Sequence, residues 1–159
     1  MSQLVAYPDP KLSVKATNVE NFDRSLQDLV YVMLCCMYEN NGVGLAANQV
    51  GSDLNLFVMD HTYSQGIPQT PMVCINPVIV TQFDYLMVSE GCLSIPGLQT
   101  TVRRAKNLLL RYQDMSGRTH DEACTGIKAH IVQHECDHLN GLTYLDRIGK
   151  TKRKKLLEK

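Results

Sequence analysis

Net charge is missing from this chain: Lys plus Arg number 16, Asp plus Glu number 16, and the 159 residues sum to zero. A molecule so balanced exerts no long-range pull on nucleic acid or on an anionic membrane, and sequence-specific nucleic-acid binding is not expected. A long hydrophobic run is missing too. The most apolar stretch, residues 29–37, falls well short of the ~20 residues that cross a bilayer. The start, Met1-Ser2-Gln3-Leu4, has no charged segment leading into an apolar one, so it does not read as a secretory signal. The expectation is a soluble, cytoplasmic protein. No repeat, low-complexity tract or long linker divides the chain, which suits one domain over 1–159 with a genuine core.

Six cysteines are present, Cys35, Cys36, Cys74, Cys92, Cys124 and Cys136. An even number permits three disulfides, but a chain of this size with a core and no signal does not need them. Reduced thiols are expected, five of them acting as small buried hydrophobes.

The pattern along the chain predicts elements. Leu26, Leu29, Val30, Met33, Leu34 and Met37 recur at spacings of three and four, which predicts an amphipathic helix over about 22–40 with Asn21 or Asp23 as its cap. Asn41-Gly42-Val43-Gly44 ends it. Residues 54–59 and 72–80 read as strands, with Gly66-Ile67-Pro68 in the loop between them. Residues 107–113 and 118–125 read as a hairpin turning at Asp114-Met115-Ser116-Gly117. A second helix is expected over 127–140, stopped by Gly141. A short third helix is expected in the tail. The fold class is α+β, with mostly antiparallel sheets packed around the 127–140 helix. The basic run Lys150-Thr151-Lys152-Arg153-Lys154-Lys155 reads either as a solvated helix end or as an RNA-facing tail that contacts the ribosome.

The chemistry concentrates in His134-Glu135-Cys136-Asp137-His138. Histidines four residues apart on a helix lie about 40° apart around its axis, so both imidazoles reach one metal ion. Glu135 between them is placed as a general base beside any water the ion activates. Cys92, in Glu90-Gly91-Cys92-Leu93-Ser94, is the candidate third ligand. Three protein ligands with an open position describe a catalytic site. A thiolate with two imidazoles favours Fe(II), Zn(II), Ni(II) or Co(II) over Mg or Ca. A closed four-ligand zinc site is the other reading. Cys136 does not complete it, since it points about 200° away from His134.

Three separated motifs, Gly42-Val43-Gly44-Leu45-Ala46-Ala47-Asn48-Gln49, Glu90-Gly91-Cys92-Leu93-Ser94-Ile95-Pro96 and Gln133-His134-Glu135-Cys136-Asp137-His138, resemble in order those of peptide deformylases. Pro8-Asp9-Pro10, Ile75-Asn76-Pro77 and His138-Leu139-Asn140-Gly141 resemble the family as well, and the likeness runs over essentially the whole chain. The resemblance implies a metal-dependent hydrolase that removes the N-formyl group from the formyl-methionine of nascent proteins and releases formate. It implies one divalent ion per chain, Fe(II) foremost, held by Cys92, His134 and His138. Glu135 would take the proton of the attacking water and return it to the departing amine. The Gln49 amide and the Leu93 backbone N–H would hold the oxyanion. Gly42, Val43 and Gly44 would let a peptide lie alongside as a strand, and Glu90, Gly91, Gln99 and His130 would border it. Glu90 and Arg104 would pair behind the metal loop. Asp137 would orient an imidazole or solvate the helix surface.

Two positions depart from the family's pattern. Gln99 stands where many deformylases carry an arginine that contacts the substrate backbone, and His130 stands where an aliphatic residue is usual. Arg103 shares a face with Gln99 only if the segment between them is extended. His130 is read as a satisfied pocket histidine, a fourth ligand, or a residue that alters first-residue preference. His61 and His120 fit no cluster and are expected at the surface. Two rival functions remain at this point: a peptidase built on the same helix motif, and a non-catalytic or altered-substrate deformylase-like protein on the ribosome.

Overall fold

The computed structural model describes residues 4–67 and 69–158. The first three residues of the expected start and Pro68 of the expected loop lie outside the described residues. Helix α1 (Arg24–Glu39) begins where Asp23 accepts the Leu26 N–H at 3.1 Å, so Asp23 rather than Asn21 is the cap. It ends at Asn40 and at Asn41, whose φ is +54°. Five strands follow: β1 (Gly44–Ala46), β2 (Leu56–Met59), β3 (Met72–Cys92), β4 (Ile95–Gln113) and β5 (Thr119–Thr125). They form one antiparallel sheet in the order β1-β2-β3-β4-β5. Helices α2 (Ile127–Leu139) and α3 (Lys150–Leu157) complete the chain, joined by a 3-10 turn at Tyr144–Arg147.

Around β2 the sheet is covered on both faces, which explains why that strand is buried throughout. Leu56 and Val58 pack with Leu26, Val30, Met33 and Met37 of α1. Phe57 and Met59 face the other way, onto Ile131, Val132, Cys136 and Leu139 of α2. Gln133 fixes α2 against β4: its Oε1 accepts the Ala105 N–H and its Nε2 donates to the Ala105 carbonyl, both at 2.9 Å. No disulfide joins the cysteines. Cys36, Cys74, Cys124 and Cys136 are buried, whereas Cys35, counted among the buried ones by sequence, is half-buried.

The strand expected over 72–80 runs on to Cys92 and pairs with β4 along most of its length. Its outward positions include Phe83, Tyr85 and Met87, all exposed, so the apolar-in, polar-out alternation that marks a half-buried strand is absent there. The β3–β4 ribbon turns tightly between Cys92 and Ile95, which are register partners. That turn brings Cys92 to α2.

A candidate metal centre

Cys92 ends β3, and His134 and His138 lie one turn apart on α2. Their side chains converge: Cys92 Sγ is 3.3 Å from His138 Nε2, and one donor atom from each of the three residues lies within 4.8 Å of the others. Tetrahedral bonds of ~2.3 Å to sulfur and ~2.0–2.1 Å to nitrogen place donor atoms about 3.3–3.6 Å apart. The three residues therefore fit a divalent ion. His134 Nδ1 lies 2.9 Å from Glu90 Oε2, which leaves its other ring nitrogen for the cluster. His138 is fully buried, and burial pushes it well below the usual imidazole range, which keeps its imidazole neutral.

Glu135 is buried beside the cluster. Burial pushes its carboxyl up to about 7, against the opposing pull of His134, and its Oε2 has no hydrogen-bond partner among the described residues. Such a carboxyl exchanges a proton near neutrality. Gly44 makes room for it: a β-carbon there would fall 2.5 Å from Glu135 Oε1 and 2.8 Å from Ile131. Gln49, on the 3-10 turn Ala47–Val50, accepts the Ala46 N–H through Oε1 at 2.9 Å. Its amide nitrogen is thereby turned to the cluster, donating to Ser94 Oγ at 3.0 Å and lying 3.6 Å from Cys92 Sγ. Leu93 follows Cys92 in the turn, and a β-carbon on Gly42 would fall 2.7 Å from its side chain.

Gly42, Val43, Gly44, Glu90, Gly91, Gln99 and His130 line one cleft of about 870 Å³, together with Gln49, Cys92, Leu93, His134 and Glu135. Glu90 also pairs with Arg104 at 2.5 Å, with both side chains buried. Burial alone would raise Glu90, but hydrogen bonds from Arg104 and His134 hold it down at about 2. Residues 99–103 are extended within β4, yet the Arg103 guanidinium lies 4.2 Å over the Tyr85 ring and outside the cleft lining. His130 belongs to the lining and not to the group of converging donors. Its Nε2 is buried without a partner among the described residues, so it is not the satisfied histidine expected.

One expectation is corrected. Asp137 makes no direct hydrogen bond to an imidazole and does not solvate the helix surface. It is buried between two guanidinia, Arg104 at 2.7 Å and Arg147 at 2.5 Å, contacts with no local spacing to betray them. His120 lies at the surface of the β4–β5 hairpin as expected, 2.7 Å from Asp114 and stacked on Tyr112. Sequence reasoning also missed Ser94 as the partner of Gln49. It missed Tyr144, which stacks on His134 with centroids 6.3 Å apart, and Asn48, which donates to the His138 carbonyl at 2.7 Å.

The family model described as polypeptide deformylase matches residues 1–154. The chain belongs to the peptide deformylase family. The peptide deformylase of Dictyoglomus turgidum is 40% identical over 139 residues, covering 87% of each chain. The peptide deformylase structure from Legionella pneumophila superposes with a TM-score of 0.93 at 37% identity, covering 100% of this chain and 92% of the other. That from Plasmodium falciparum gives 0.91 at 37% identity, covering 98% and 91%. The chain is thus a hydrolase of a metal-dependent deformylase family, with the expected α+β fold. Among the described residues, no helix is long and apolar enough to cross a membrane.

Proposed function

We propose that residues 1–159 act as one catalytic domain that removes the formyl group from N-formylmethionyl nascent peptides, with Cys92, His134 and His138 as ligands of one divalent ion. The observation that carries this reading is Glu135, buried beside the three converging donors with one oxygen unpartnered. The thiolate and two imidazoles suit Fe(II), the ion the resemblance favours, and also Zn(II) and Ni(II). A bound ion supplies Lewis acidity that makes a water nucleophilic near neutral pH. Glu135 takes the proton from the attacking water as the formyl carbon becomes tetrahedral. It then hands that proton to the formamide nitrogen as the C–N bond breaks, so the amine leaves neutral together with formic acid, which gives its remaining proton to solvent to become formate. The Gln49 amide and the Leu93 N–H donate to the oxyanion, and Gln49 is held for this by Ala46 and Ser94. The peptide lies in the cleft along Gly42, Val43 and Gly44, bordered by Glu90, Gly91, Gln99 and His130. We place the enzyme in the cytoplasm. The exposed Lys150, Lys154 and Lys155 of α3 supply the basic surface for a ribosome contact.

The test uses protein loaded anaerobically with Fe(II) and two peptides, formyl-Met-Ala-Ser and Met-Ala-Ser. Formate released from the first, with both peptide backbones intact, is the expected result. Peptide-bond cleavage in the second would replace this reading with the peptidase.

A further inference from the structure

The turn that precedes α3 reaches His134 by two routes. Tyr144 stacks on the imidazole at an interplanar angle of 21° and anchors itself by donating its hydroxyl to the Leu98 carbonyl at 2.9 Å. Three residues on, Arg147 starts a continuous chain of ion pairs. Its guanidinium holds both oxygens of Asp137, at 2.5 and 3.1 Å. Asp137 Oδ2 accepts from Arg104 Nη1 at 2.7 Å. Arg104 grips Glu90 with Nε and Nη2 at 2.5 and 3.0 Å, and Glu90 Oε2 meets His134 Nδ1 at 2.9 Å. The interior members are buried and only Arg147 opens to solvent, its side chain 45% exposed. Two guanidinia alternate with two carboxylates, so the chain is charge-balanced as it meets the imidazole.

We propose that the Tyr144–Arg147 turn is a clamp that positions His134, and that Arg147 is its outer positioning residue. Without Arg147, Asp137 has only Arg104 to hold. A buried carboxylate that loses a partner draws harder on the one it keeps. Arg104 is then pulled from Glu90, and the imidazole loses its fixed orientation. Such outer partners typically affect metal affinity by about 10–100-fold. The same turn also meets α3, because Arg153 pairs with Asp146 at 2.6 Å and donates to the Tyr7 hydroxyl at 3.1 Å.

The inference rests on Cys92, His134 and His138 holding an ion, and its test separates the two. Full-length protein is loaded with Co(II), challenged with excess EDTA, and the decay of the Co(II) visible absorption is followed. Arg147→Met, folded by circular dichroism, releases the ion about 10–100-fold faster than wild type. Arg147→Gln leaves one donor for Asp137 and gives an intermediate rate, and Arg147→Lys recovers part of the loss. Arg153→Met cuts the ties of α3 to Asp146 and Tyr7, leaves the Arg147 chain whole, and matches wild type. Equal release rates for wild type, Arg147→Met and Arg147→Gln overturn the clamp. Wild-type protein that takes up no Co(II) overturns the metal reading on which the clamp stands.

Discussion

Gly44 sets the position of Glu135 by having no side chain. A methyl group there would press on Glu135 Oε1 at 2.5 Å and on Ile131 at 2.8 Å. Displacing a reacting group by about 1 Å costs on the order of 10² in rate. Gly44→Ala is therefore expected to lower kcat about 10²-fold while bound metal per chain stays unchanged. Unchanged kcat would remove the close approach from the account. Gln99 is the converse case, a neutral amide where a guanidinium would bring charge. One charge-assisted hydrogen bond contributes roughly 1.5–3 kcal/mol. Gln99→Arg should lower KM for a formylated tripeptide about tenfold or more and leave kcat alone. An unchanged KM would mean that the cleft does not use this position. At this scale the sequence was most legible. Cys92, His134, Glu135 and His138 are chosen by chemistry, and the histidine spacing is local; Gln49 was legible only through the family resemblance. Asp137 and Tyr144 were illegible, because their partners lie far off in sequence and obey no spacing.

Elements are tied together near the cleft by Asp60, at the end of β2. Its buried carboxylate accepts from the Tyr38 hydroxyl of α1 at 2.7 Å, the Thr70 N–H at 2.9 Å and both donors of Thr62. Burial opposes ionisation, but these hydrogen bonds win and hold Asp60 below the usual carboxylate range. A depressed folded pKa stabilises above the unfolded value of ~3.9, and the contribution fades as pH falls through the folded value. Asp60→Asn is expected to cost about 1–3 kcal/mol at neutral pH. In melting curves its gap from wild type should close below about pH 4. A gap independent of pH would show that the charge is not what holds the loop. Helices α1 and α2 were legible to within two residues at each end, since period and stop signals agree. The far half of β3 was not. Its exposed Phe83, Tyr85 and Met87 erase the alternation, and pairing with β4 holds it extended instead.

The sheet lies between two apolar cores, with a third cluster of Ile95, Val102, Tyr144 and Leu145 beside the β3–β4 turn, and the reactive groups gather where that turn meets α2. An ion on Cys92, His134 and His138 would staple that turn to the helix, and unfolding would release it. Free ion at 100 times its dissociation constant stabilises by about 2.7 kcal/mol, or roughly 5–10 °C in Tm for a chain of this size. Chelation should lower Tm by that amount and reloading should restore it. A Tm indifferent to chelation, with the ion shown to leave, would remove the staple. The α+β class and the antiparallel pairing were legible from turn and strand signals. The meeting of turn and helix was not readable from spacing, because it depends on long-range packing.

In the proposed mechanism Glu135 moves the proton while Cys92, His134 and His138 hold the ion. The most direct measurement reads both quantities in one sample: bound metal per chain and formate turnover, for wild type and Glu135→Gln. One ion per chain is expected in both proteins, with turnover in the variant lower by about 10²–10⁴. Turnover undiminished at full metal content would contradict it.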